Sequence, residues 1–297
     1  MFDPSWLWAV FTIVAAAAQT VRNAAQRELT TRLGTVGATH VRFLFGFPFA
    51  LIFLAGVMIA LEQGLPRPPP VFWPWVVLGA LTQIAATALM LAAMNDRSFV
   101  VVYAYIKTEP VQAALFGLVF LGDAVTPGMA AAILIATSGV VTMALKPGTS
   151  MDVRATLLGL AAGAMFALSA VGFRGAILSL GLPSYVMAAT FTLVVGLVMQ
   201  SALLSLYLWL RNPDVLVSIM RAWRPSLFAG FMGALASQFW FLAFALATAA
   251  SVRTLALVEV LFAQAISRFA FKQATTPREA VGVVLIVVGV LLLLWTG

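Results

Sequence analysis

Read for hydropathy alone, the chain is a succession of long apolar runs separated by short polar or proline-rich interruptions. In the first half the runs are Ser5 to Val21, Thr35 to Leu61, Val71 to Met94, Ser98 to Leu121 and Thr126 to Leu145. In the second they are Val153 to Leu180, Pro183 to Leu210, Trp223 to Ala247, Ser251 to Phe271 and Pro277 to Trp295. A bilayer core about 30 Å thick takes roughly 20 helical residues, so the pattern predicts an all-α integral membrane protein of ten transmembrane helices. Membrane strands would instead be segments of about ten residues with alternating polarity. Breakers such as Pro66-Arg67-Pro68-Pro69-Pro70 keep the connections short, and neighbouring helices must then be antiparallel. Met1 to Thr20 has Asp3 where a basic leader region would stand and no clear cleavage site, so it reads as the first span and not as a signal peptide.

The segment Lys146 to Asp152 divides the chain nearly in half, and the halves match at a gap-free shift of 150 residues. That shift pairs Glu109 with Glu259, Thr126-Pro127 with Thr276-Pro277, and Gly139-Val140 with Gly289-Val290. Apolar coincidences are cheap in so hydrophobic a chain, and the weight rests on the mid-helix Glu and on the Thr-Pro that opens the fifth span of each half. Five is an odd number of crossings, so a second copy enters the bilayer upside down. The expected organisation is two inverted five-helix repeats, 1–147 and 152–297, an arrangement common among secondary transporters.

Composition removes the soluble alternatives. Hydrophobic residues make up 63% of the chain and charged ones 9%, against roughly 25% charged in an ordinary soluble domain. There is no Cys and one His, His40, which excludes disulfides, thiolate metal sites and Cys nucleophiles. Catalytic residues, a metal and a cofactor are accordingly not expected. The net charge of +7 is scattered through short loops and forms no basic face for nucleic acid. It reads instead as topology: one side collects Arg22, Arg27, Arg32, Arg97, Lys146, Arg154, Arg211, Arg221, Arg224, Lys272 and Arg278, and the terminus side only Arg67, Arg174 and Arg253. Since short basic loops stay in the cytoplasm, both termini are expected on the periplasmic or extracellular side of a cell inner (plasma) membrane.

The stretch Tyr105-Ile-Lys107-Thr-Glu109-Pro110, the turn Gly122-Asp123, then Thr126-Pro127 and Gly139-Val140, with their counterparts from Glu259 to Gly289, resembles an EamA repeat of the drug/metabolite transporter superfamily. Within it the pattern is most similar to the YddG-type exporters of aromatic amino acids. The second copy departs at Val260, where the first has Pro110, and at Lys272-Gln273, where the first has the Gly-Asp turn. The resemblance implies ten helices in two inverted halves around a central cavity, exporting aromatic and other amino acids and some toxic compounds. It also implies termini in the cytoplasm, whereas the charge count puts them outside.

A charge at mid-bilayer costs roughly 2.5–3.5 kcal/mol on insertion scales, so Lys107, Glu109 and Glu259 need partners or a wet cavity. Lys107 and Glu109, two residues apart, point to different faces, which leaves a pairing such as Lys107 with Glu259 across helices. Two ionised glutamates at equivalent depths would otherwise repel unless one holds a proton. These groups are either a substrate contact or proton site, or a structural ion pair that braces the bundle. Tyr105, Glu109, Gln112 and Phe116 share one helical face, and Gln83, Gln238 and Trp240 lie well inside their spans. The substrate-binding set expected is therefore Gln83, Tyr105, Lys107, Glu109, Gln112, Gln238, Trp240 and Glu259. The remaining tryptophans, Trp6, Trp8, Trp73, Trp75, Trp209, Trp223 and Trp295, fall at span ends, as interfacial belts do. Arg42 with His40 opens the second span and is expected to snorkel to the interface, a substrate-carboxylate contact being its alternative. Gly159-x-x-x-Gly163, Gly282 and Gly289 suit close helix contact.

No phosphate-binding loop, dinucleotide turn or His-Glu-x-x-His helix is present. The expectation is a non-enzymatic secondary transporter of amino-acid-like small molecules, a monomer in the lipid bilayer, working by alternating access. A membrane enzyme on lipid-linked substrates would need a catalytic cluster near an interface, and a channel would need rings of like polar residues.

Overall fold

The computed structural model describes residues 6–96, 102, 105–144, 153–269 and 276–296. Its helices are α1 (Leu7–Leu44), α2 (Phe47–Leu61), α3 (Phe72–Asp96), α4 (Glu109–Phe116, continued by a π turn over Gly117–Leu121), α5 (Pro127–Ala144) and α6 (Val153–Ser179). After these come α7 (Tyr185–Arg211), α8 (Pro213–Arg221), α9 (Trp223–Leu246), α10 (Ala249–Leu255), α11 (Val258–Phe269) and α12 (Pro277–Thr296). Among the described residues there is no strand.

Among the described residues six helical segments are long and apolar enough to cross a bilayer: Leu33–Leu61, Phe72–Met90, Val153–Ser179, Tyr185–Arg211, Trp223–Leu246 and Pro277–Thr296. Three shorter apolar helices, Leu7–Arg22, Glu109–Leu121 and Pro127–Met143, fall on the first, fourth and fifth runs. The ninth run is cut into α10 and α11, so the described helices do not by themselves make up ten full spans. The loop expected after Val21 is helical instead. Its residues, largely Ala, Gln, Arg, Glu and Leu, favour a helix, and α1 holds until Gly34, whose φ of 66° lies where a side chain is strained.

The Thr-Pro pair of each half has a local cause. Thr126 accepts from the Met129 N–H at 3.1 Å, and Pro127 opens α5, a first-turn position that needs no N–H. In the second copy the Glu279 N–H donates to the Thr276 hydroxyl at 3.3 Å while the Thr276 N–H donates to the Glu279 carboxylate at 2.7 Å, a capping box.

Two compact units form, and neither coincides with a sequence half: Met1–Ile84 with Gly172–Leu246, and Ala85–Val171 with Ala247–Gly297. In the first, α1 lies along α9, and Leu29, Leu33, Ala38, Val41, Leu208, Ile219 and Ala229 form a buried cluster. Helices α3 and α6 cross so closely that a Cβ on Gly172 would stand 2.6 Å from the Gly79 nitrogen. In the second unit α5 and α12 meet through small residues. A Cβ on Gly139 would fall 2.7 Å from the Gly282 carbonyl, and one on Gly289 would fall 2.6 Å from the Ala136 nitrogen. Under the 150-residue shift Gly139 corresponds to Gly289 and Ala136 to Ile286, and Ile286 is the residue Gly139 also meets. The contact is thus reciprocal.

Candidate functional site

The polar groups of the second unit gather where two helices are interrupted. In the first half the chain turns at Lys107-Thr108: the Thr108 N–H donates to the Tyr105 carbonyl at 3.2 Å, its hydroxyl donates to the same oxygen at 2.7 Å, and the Val111 N–H reaches back to the Thr108 carbonyl at 3.1 Å. Pro110 explains the break, because it has no N–H for the Ile106 carbonyl four residues earlier. That carbonyl is accommodated by Gly163, where an added Cβ would lie 3.1 Å away.

The second half breaks at Ala256-Leu257 without a proline. There the Leu257, Glu259 and Val260 N–H groups each bond three residues back, at 3.1, 3.1 and 3.0 Å, the tighter 3₁₀ pattern. Glu109 then opens α4, Glu259 lies in the first turn of α11, and Arg253 lies in the last turn of α10. Each charge sits at the helix end whose dipole favours it.

Two ion pairs cross between the halves. Lys107 pairs with Glu259, as the spacing suggested, and Arg253 Nε stands 2.9 Å from Glu109 Oε1. The second pair is close enough for charge attraction but does not meet hydrogen-bond alignment at those two atoms. Lys107 is also within electrostatic reach of Glu109 and Arg253. The four form one neutral cluster of two cations and two anions, with Lys107, Glu109 and Glu259 all under 10% exposed.

The sequence reading places Arg253 among the loop charges of the terminus side, and the structure corrects this. It is a helical residue inside the ninth apolar run, and a charge within such a run was the signal available. Arg174, counted likewise, lies in α6 and donates to the Phe244 carbonyl at 2.6 Å.

Two more predicted residues adjoin the cluster. Tyr105 is half-buried against Gly159, and Gln112 Nε2 donates to the Leu160 carbonyl at 3.2 Å beside Gly163. Gly159-x-x-x-Gly163 therefore serves as the close-contact face it resembled. The other three lie in the first unit. Gln83 accepts from Gln200 at 2.7 Å, Gln238 donates to the Thr190 hydroxyl at 2.7 Å, and the Trp240 indole donates to Gln19 at 3.2 Å. Gln238 and Trp240 are buried and Gln83 half-buried, so none faces lipid openly. His40 is fully buried with its Nε2 2.9 Å from the Ser205 hydroxyl, and Arg42 is half-buried over the Phe43 ring; neither snorkels free of the bundle. No group of three or more His, Asp or Glu among the described residues is placed to hold a metal.

A multi-pass helical membrane protein with compensated charges at interrupted helices has the organisation of a membrane transporter. The sequence agrees over the first half: residues 6–145 match the model of the EamA-like transporter family. A solved structure described as "Crystal structure of protein" shares the fold, with a TM-score of 0.70 at 19% identity over 97% of this chain and 99% of its own. No curated protein matches the chain.

Proposed function

We propose that the protein is a secondary transporter of the inner membrane, of the YddG type, that exports amino acids, aromatic ones among them, and toxic small organic compounds by alternating access between the inverted halves 1–147 and 152–297. The observation that carries this reading is the pair of crossed ion pairs at the two helix breaks. An amino acid brings one ammonium and one carboxylate, the same two charges that Lys107, Arg253, Glu109 and Glu259 already exchange. Its carboxylate can take the place of a glutamate on a cation, and its ammonium the place of that cation, with no charge left uncompensated. Tyr105 and Gln112, in the same unit as the four charges, supply an aromatic and an amide contact for the side chain.

The excess of Arg and Lys at one set of span ends supports termini outside the cell. Liposomes containing only this protein, as a monomer, should take up labelled amino acids saturably, with competition by unlabelled ones. Flux equal to that of protein-free liposomes, or flux that never saturates, would reject the proposal.

A further inference from the structure

We propose that α8 and the helix ends beside it bind the headgroup of an anionic phospholipid. Helix α8 has nine residues, about 13.5 Å at 1.5 Å per residue, too short to span and yet apolar on two sides. Its inner side is accounted for: Ile219 is fully buried, and Val215 and Leu216 pack on the Leu29, Leu33, Val41 and Leu208 cluster. Its outer side is not, since Val217 and Met220 are 48% and 58% exposed. An apolar outer side on a helix that cannot cross belongs in the plane of the interface. The exposed indoles of Trp209 and Trp223, in the last turn of α7 and at the start of α9, mark the same level.

Charge selects the occupant. Arg211 closes α7, Arg221 closes α8 and Arg224 stands in the first turn of α9, all exposed, with Asp214 as the only acid from Arg211 to Arg224. The Arg224 guanidinium lies 5.4 Å from the centre of the Trp223 ring, which holds a planar phosphate-binding fork at headgroup depth. Three arginines against one aspartate leave an excess of two positive charges. A zwitterionic headgroup gains nothing net from that excess, whereas phosphatidylglycerol gains about fivefold in affinity per arginine.

The test uses the full-length protein in detergent, titrated with phosphatidylglycerol or with phosphatidylcholine of the same acyl chains, the bound lipid being counted by native mass spectrometry. The parent should retain phosphatidylglycerol preferentially, salt should weaken the preference, and R211Q/R221Q/R224Q should abolish it. If that triple variant fails to insert, single changes decide: R224Q should lower the preference about fivefold and D214N should raise it. Equal retention of the two lipids by the parent, or an unchanged preference in the arginine variants, overturns the proposal. So does displacement of the lipid by millimolar inorganic phosphate, which would make the site one for a soluble anion. None of these outcomes depends on transport.

Discussion

Replacing Glu109 by Gln keeps the size of the side chain and removes its charge, leaving Arg253 opposite a neutral amide. The Arg253 side chain is 14% exposed, so water relieves little of the imbalance. Removing one partner of a buried pair costs about 3–5 kcal/mol. An uncompensated arginine at the bilayer centre costs roughly 2.5–3.5 kcal/mol on insertion scales. The two routes meet near 3 kcal/mol, and E109Q should melt about 6–12 °C below the parent in a detergent thermal-shift assay. The double variant E109Q/R253Q should lose less than the sum of the two single losses, by a coupling of up to about 3 kcal/mol. A single variant as stable as the parent, or a double variant that loses the sum of the single losses, would show that the pair carries no interaction. Flux through the double variant separates the roles: a folded protein that transports like the parent makes the cluster a brace and not a substrate contact.

Four further outcomes are expected. Gly289→Ala brings a Cβ to 2.6 Å from the Ala136 nitrogen, backbone that cannot give way, and should cost about 1–3 kcal/mol in the same melt; Gly56→Ala, with nothing within 4 Å of its Cβ, should be neutral or stabilising by up to about 1 kcal/mol. Thr276→Ala removes the hydroxyl that caps α12 and should cost about 1 kcal/mol, and equal melting of variant and parent would count against the capping box. A C-terminal alkaline phosphatase fusion should be active and a C-terminal fluorescent-protein fusion dark, since the charge bias puts the terminus outside; the opposite pattern would reverse the orientation.

The regular parts of the fold were legible because their causes are local. A Thr followed by Pro sets an N-cap and a first-turn residue, and both copies show it. Gly139 and Gly289 were legible as close-contact positions for a similar reason, since only a missing side chain lets two backbones approach. The site was half legible. A lone glutamate in an apolar run announces that a cation is near, and Lys107 was within view, but Arg253 was absorbed into a tally of loop charges. The break at Ala256-Leu257 had no signal of the usual kind, since Val260 stands where the first copy has Pro110. Helix α8 was hidden for another reason, as nine residues between two long apolar runs read as a connection.

The reciprocal contact of α5 with α12 bears on how the chain is made. Helix α5 leaves the ribosome with its glycine face bare, and its partner follows only after residue 277, more than a hundred residues later. Throughout that interval the face centred on Gly139 must rest against lipid or be shielded by an insertase, and the glutamates and cations of the broken helices wait equally long for their counterparts. The first compact unit, by contrast, has all its segments once Leu246 is synthesised. Biogenesis therefore has a vulnerable window late in translation, and chains stalled between residues 246 and 277 should be the ones that quality-control proteases find.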